Sequence, residues 1–196
     1  DLGIENIFSQ KILDIACGSG VFAIEAYDYI EDIFRELFIS SKHPDFKQYF
    51  VVTETDVIVN LLGKKAIIDN CIFGVDIDPE AVEVTKMSLS LKIVDASEHL
   101  ESYNEMGVFG NKILNGIGNN IRCGNSLVES DILERFPPLV KNLEERIKTN
   151  IFDWKGKDGF PELFAAKDGF DFIIGNPPYV EVKNYNVDLP YMHQYI

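Results

Sequence analysis

The chain has 196 residues, 46% hydrophobic and 26% charged, a mix that excludes a largely disordered polypeptide. Lys and Arg number 18 against 32 Asp and Glu, and the net charge of −14 excludes a free-standing basic nucleic-acid module. No apolar run reaches the roughly 18 residues of a membrane span, and no charged start leads into an apolar signal core, so no membrane partner is expected; an odd number of cysteines, three, read as reduced, makes a cytoplasmic protein the expectation.

Lys11–Ala16 is a short apolar run ending in glycines, and it predicts a buried strand. Val21–Ile30 follows with helical periodicity, and a second amphipathic segment extends to about Ile39. Ser40–Phe50 is polar, carries Pro44 and reads as a loop; Glu54–Asn70 returns to helical spacing, with Val57, Ile58, Leu61, Leu62, Ala66 and Ile67 on one side. Residues of about 27–70 thus form a helical insertion between the first strand and the second, Cys71–Asp76. Asp78 suits the N-cap of the next helix, and Pro79 its first turn, with the helix running to about Lys92. Asn104–Asn120 is rich in glycine and asparagine, a loop composition, and Asn120–Cys123 is a short third strand. Asp131–Lys148 reads as a charged surface helix interrupted near Pro137 and Pro138. Phe170–Gly175 is the last strand and leads into Asn176-Pro177-Pro178-Tyr179. Strands alternating with helices predict an α/β fold, a parallel sheet with helices on both faces.

Cys17, Cys71 and Cys123 have no metal-ligand spacing, and His43, His99 and His193 have no partner pattern. The cysteines are expected to be reduced and buried, and no metal site is expected. Trp154 and the phenylalanines near it are expected in the core, and Cys17 in packing.

The segment Asp14-Ile15-Ala16-Cys17-Gly18-Ser19-Gly20 joins a strand to a helix, where glycines allow a tight turn and close approach to a ligand. Gly18–Ala23 also fits the weak pattern G-x-G-x-x-A. A dinucleotide site would place an acid about 20 residues further on, and none stands there. Asp76, at the end of the next strand, is the acid placed to accept from both ribose hydroxyls of an adenosine-type cofactor. Asn-Pro-Pro-Tyr is more specific. Two prolines stiffen the turn and donate no hydrogen bonds, leaving carbonyls able to accept. The Asn176 side chain and the Pro177 carbonyl can take the two hydrogens of an exocyclic planar amine while Tyr179 stacks on its ring. Such acceptors draw the nitrogen toward tetrahedral geometry and release its lone pair for attack on a sulfonium methyl, with no strong base required.

These residues resemble the amino-methyltransferases that use S-adenosylmethionine, and among them the adenine-specific DNA methyltransferases. DIACGSG at 14–20 looks like their cofactor motif, and IFGVDIDPEAVEVTKMSLSL at 72–91 like the strand and helix that follow it. GNSL at 124–127 resembles the segment against the cofactor adenine, with Asn125 where the family commonly has aspartate; GFDFIIGNPPYV at 169–180 resembles the catalytic motif. The resemblance implies a Rossmann-like methyltransferase fold and a doubly wound, parallel-rich sheet, incomplete at its C-terminal end. It implies cofactor contacts from Asp14, Ala16, Cys17, Gly18, Gly20, Asp76, Ile77, Asn125 and Ser126. The implied catalytic residues are Asn176, Pro177, Pro178 and Tyr179.

The motif order is similar to the gamma arrangement, in which the recognition domain follows the catalytic motif. The insertion, and FDWKGKDGFPELF at 152–164, are similar to type IIG enzymes, which fuse methylation with restriction, and to phage-defence methyltransferases. Residues 1–196 are therefore expected to be one catalytic domain cut from a larger protein, its recognition domain absent, which reconciles the acidic charge with double-stranded DNA as partner. Glu181-Val182-Lys183 has a nuclease-like form but stands alone, Lys183 reads as a surface lysine, and Tyr185, Tyr191 and Tyr195 read as tail. The alternatives are methylation of a protein glutamine or of a ribosomal RNA amine, or a non-catalytic cofactor-binding subunit.

Overall fold

The structure is a computed structural model that describes residues 3–94, 116, 118–137, 141–167 and 169–176. Strands β1 (Ile12–Asp14), β4 (Ile72–Asp76), β5 (Ile121–Cys123) and β6 (Phe172–Ile174) form a four-stranded sheet in the order β5-β4-β1-β6, and every pair is parallel. The hairpin strands β2 (Phe50–Val52) and β3 (Val57–Val59) pair separately and antiparallel. The helices are α1 (Val21–Ser41), α2 (Leu61–Cys71), α3 (Pro79–Val94), α4 (Ile132–Arg135), α5 (Leu143–Thr149) and α6 (Pro161–Lys167), with 3-10 turns at Ile4–Ser9 and Pro44–Tyr49.

Side chains alternate across each strand, and the two faces of the sheet fill two cores. Ile72 and Ile121 point to one face, where they meet Tyr27, Ile30, Phe34 and Phe38 of α1, Ile67 and Ile68 of α2, and Val82, Leu89 and Ile93 of α3. The α1 residues recur at helical spacing, so one stripe of that helix is buried. Leu13, Phe73 and Val75 point to the other face, where Phe152, Phe160 and Leu163 cover them. Trp154 and Phe170 complete that layer; the Phe152 and Trp154 ring centroids lie 4.7 Å apart, edge to face. This aromatic layer is core, as expected for Trp154 and its neighbours. The fold is α/β, with helices on both faces of a parallel sheet.

The insertion differs from its predicted form. Residues 27–70 contain most of α1 and α2, but the hairpin β2–β3 lies between them. Val57 and Ile58, assigned above to a helix, belong to a strand, and α2 starts at Leu61 behind Asn60, whose side chain accepts from the Gly63 amide at 3.0 Å. Val51, Val52, Val57, Ile58 and Val59 are β-branched and suit a strand. Thr53 closes the turn, accepting from the Asp56 amide at 2.9 Å. Phe50 then stacks on Phe38 at 4.0 Å and packs against Phe34 at 4.7 Å, which fastens the hairpin to α1. Among the described residues of the charged segment 131–148, α4 ends at Arg135 before Pro137 and α5 begins at Leu143, so the helix is interrupted as expected. No helix among the described residues is long and apolar enough to cross a membrane.

Candidate active site

Parallel strands end together, so the carboxyl ends of β1, β4, β5 and β6 form one edge. Asp14 ends β1, Asp76 ends β4 opposite Cys123 of β5, and Ile174 of β6 lies opposite Asp14. Crevices along such edges are where open α/β sheets hold ligands.

The loop after β1 is built on two left-handed glycines, Gly18 at φ 51° and Gly20 at φ 85°. The Cys17 amide donates to the Val75 carbonyl at 3.0 Å, and the Gly20 amide to the Cys17 carbonyl at 2.7 Å, before α1 begins. Thr85, fully buried on α3, donates its hydroxyl to the Gly18 carbonyl at 2.8 Å. A Cβ on Gly20 would stand 2.9 Å from the Thr85 side chain. Thr85 is thus the clamp of this loop, and nothing in its sequence context marks it. Gly20→Ala adds both backbone strain and this overlap, and we expect it to destabilise the fold by about 1–3 kcal/mol. Urea unfolding checks this; an unchanged midpoint would contradict it.

Cys17 is buried, and burial pushes its thiol up to about 12, so at neutral pH it packs as an inert side chain. Cys71 is likewise buried, its thiol also pushed up to about 12 by burial. Cys123 departs from the expected burial: it ends an edge strand and is exposed.

Asp76 ties the edge together. Its Oδ2 accepts from the Gly18 amide at 2.7 Å and its Oδ1 from the Asp78 amide at 2.9 Å. Its backbone carbonyl accepts from the Gly124 amide at 2.7 Å. A carboxylate oxygen has about two acceptor positions, so each oxygen keeps one for a ligand. Asp78 takes the capping role, accepting from the Glu80 amide at 2.9 Å. Ile77 follows Asp76 with its side chain 48% exposed, an apolar surface at the edge.

Asn125 is buried beside this surface, and its side-chain oxygen accepts from the Leu127 amide at 3.1 Å, closing a turn around half-buried Ser126. The Asn125 amide donates to the Asn150 carbonyl at 2.7 Å. Asn150 holds φ 47° at the end of α5, and its side-chain amide donates to the Ile77 carbonyl at 3.2 Å and to Cys123 Sγ at 3.4 Å. Asparagine tolerates the left-handed region better than most residues. Asn150 therefore sets the Ile77 and Asn125 backbones relative to one another, a role invisible in the sequence.

Asp14 is 1% exposed. Its Oδ1 accepts from the Ala16 amide at 3.2 Å, whereas Oδ2 is buried without a hydrogen-bond partner. Burial raises the carboxyl's pKa; the Ala16 amide acts against this and the charge on Asp76 adds to it. The folded state thus binds this proton more tightly than the unfolded state, so stability falls as pH rises from the ordinary carboxylate range through the raised value. Asp14→Asn should remove that dependence and stabilise the fold by about 1 kcal/mol at neutral pH, with the gain vanishing in acid. Urea unfolding at both pH values checks it, and a gain of equal size in acid would contradict the cause given.

The Ile174 carbonyl accepts from the Ile15 amide at 3.2 Å, holding β6 against the start of the glycine loop. A Cβ on Gly175 would stand 2.9 Å from Ile15 Cγ1 and 3.5 Å from Asp14 Oδ1, so the chain leaves β6 directly beside Asp14. Asn176 follows and is exposed. Pro177, Pro178 and Tyr179 lie outside the described residues.

The donor set fits S-adenosylmethionine. The orphaned Asp14 Oδ2 needs a donor such as an ammonium, the spare acceptor positions of Asp76 suit a pair of hydroxyls, and Ile77 offers an apolar face for a ring. A parallel sheet with a glycine loop after its first strand and an acid ending the adjacent strand is a Rossmann-like methyltransferase fold. The chain belongs to the Eco57I restriction-modification methylase family, whose model matches residues 70–195. It is 31% identical over 180 residues to the type II restriction enzyme and methyltransferase RM.Eco57I of Escherichia coli, a match covering 92% of this chain and 15% of that protein. It is 36% identical over 125 residues to RM.MjaORFECS2P of Methanocaldococcus jannaschii, covering 64% of this chain and 9% of that protein. The chain thus spans a small part of the length of either relative.

Proposed function

We propose that this chain is the catalytic core of a DNA methyltransferase in a restriction-modification system, transferring a methyl group from S-adenosylmethionine to the exocyclic amine of a flipped adenine. The observation that carries the reading is the convergence of Asp14, Asp76, Asn125 and the β6 end leading to Asn176 on one edge of the sheet. Membership of a restriction-modification methylase family supports it.

In this reading Asp76 holds the ribose hydroxyls, Ile77 lies against the adenine ring of the cofactor, and the Asn125-Ser126 turn flanks that ring. Asp14 accepts from the ammonium of the methionine part, and the backbone of Ala16, Cys17, Gly18 and Gly20 lets the cofactor approach closely. When bound, S-adenosylmethionine would supply a sulfonium methyl, which the amine nitrogen takes as the carbon–sulfur bond breaks and the neutral thioether leaves, the nitrogen's surplus proton passing to solvent. The Asn176 side-chain carbonyl and the Pro177 carbonyl accept from the two hydrogens of the adenine amine. Pro178 stiffens the turn, and Tyr179 stacks on the flipped base, repaying part of the few kcal/mol that unstacking costs. Double-stranded DNA is the partner, bound mainly through parts of the protein beyond this chain.

The test is incubation of the full-length protein that contains this chain with methyl-labelled S-adenosylmethionine and, in turn, unmethylated duplex DNA, ribosomal RNA and protein substrate, followed by separation of the labelled products. Label in N6-methyldeoxyadenosine is expected. Label only in protein glutamine, only in ribosomal RNA, or in no acceptor would overturn the reading.

A further inference from the structure

A cavity of about 530 Å³ opens at the end of the sheet opposite the carboxyl edge. Lys11 lies just before β1, Asp69 in the last turn of α2 before β4, and Asn120 just before β5; Phe73, Arg122, Lys157 and residues of α6 complete the wall. Lys11, Asp69 and Asn120 thus stand at the amino ends of β1, β4 and β5, while Arg122 directly precedes Cys123 and points to the opposite face of the sheet.

Arg122 is its unusual member. It pairs with Val75 in the β4–β5 register and so points to the aromatic face, where its guanidinium carbon lies 6.0 Å from the Phe160 ring centroid. Its Nε is buried with no hydrogen-bond partner. Among the described residues no carboxylate lies within ion-pair distance of the guanidinium. Of the two carboxylates in the lining, Asp69 is ion-paired with Lys65 on its own helix, and Glu162 is exposed. Lys11 points its ammonium to the Phe8 and Asn70 carbonyls at 2.8 and 2.6 Å, and Lys157 stands exposed on the far rim. The cavity thus gathers Lys11, Arg122 and Lys157 in a chain of net charge −14.

A buried guanidinium nitrogen without an acceptor is costly, and buried polar groups as a rule find a partner. The group that satisfies Nε and a terminal nitrogen together is a planar or tetrahedral oxyanion received side-on through two parallel hydrogen bonds. Phe73, Phe160, Pro161, Leu163 and Ala166 leave apolar wall around it. We propose that this cavity is an oxyanion-binding site, taking a carboxylate or phosphate carried on a molecule with an apolar or ring portion, with Arg122 as its anchor. The site is independent of the methyl-transfer reading, since it shares no residue with it.

Two titrations test it, inorganic phosphate and benzoate, each against a sodium chloride control at equal ionic strength, followed by the Arg122 Nε–H and Trp154 indole resonances. Trp154 reports because its ring lies 6.2 Å from that of Phe160. Saturable shifts beyond the chloride control are expected with at least one probe, and the tighter probe identifies a phosphate or a carboxylate as the natural group. Arg122→Lys keeps the charge and removes the fork, and Arg122→Gln removes both; each should weaken binding about tenfold or more, read at Trp154. Lys157→Gln, on the exposed rim, should weaken it by a smaller factor. Shifts no larger than those with chloride, or binding unaltered in both Arg122 variants, would overturn the proposal.

Discussion

Asn176→Ala is expected to lower the methyl-transfer rate by about 10²–10³-fold, the loss typical of removing one preorganised polar contact to the reacting centre. Affinity for S-adenosylmethionine should stay near that of the wild type, because Asn176 serves the acceptor amine. The fold should melt as before: the side chain is exposed, and such substitutions change stability by at most about 0.5 kcal/mol. Asn176→Asp retains a carbonyl-type acceptor and should keep measurable activity. Single-turnover transfer to duplex DNA separates the variants. A wild-type rate in Asn176→Ala would remove the acceptor role from the mechanism.

Asp76→Ala has two expected effects of different origin. Its carboxylate takes backbone hydrogen bonds from Gly18 and Asp78 within the fold and, in the proposed function, ribose hydroxyls from the cofactor. Hydrogen bonds to a charged group contribute about 1.5–3 kcal/mol each, so loss of the two ribose contacts should weaken cofactor binding by at least about 100-fold. Loss of the loop contacts should destabilise the fold by about 1–3 kcal/mol. Asp76→Asn keeps one acceptor oxygen and should fall between. Binding weakened without any loss of stability would mean that the two amides find other partners; stability lost without weakened binding would remove Asp76 from the cofactor site.

The parts legible in the sequence are those decided by local chemistry. β1 and β4 are short apolar runs because parallel strands are covered on both faces, and Asp14 and Asp76 stand where those runs stop. The capping of α3 by Asp78 follows from an acid placed directly before Pro79. The hairpin was not legible, because Val57, Ile58, Leu61 and Leu62 satisfy a helical stripe as well as a strand followed by a helix; the β-branched residues decided it once Phe50 could stack on Phe38. Thr85 and Asn150 were hidden for another reason. Their partners, Gly18 and Ile77, are distant in the chain, and a buried threonine or a left-handed asparagine has no periodic signature. Cys123 is exposed because it stands at the carboxyl end of β5, where the covering core has stopped, whereas Ile121 on the same face is buried; three strand residues cannot encode where that cover ends. Pro177, Pro178 and Tyr179 rest on the sequence motif alone.

The central claim is that the carboxyl edge of this sheet holds S-adenosylmethionine through Asp76. Calorimetric titration of S-adenosylmethionine into the wild-type chain and into Asp76→Ala tests it most directly. One-to-one saturable binding to the wild type, weakened by at least about 100-fold in the variant, is predicted. No binding to the wild type, or equal affinity in both, would contradict it.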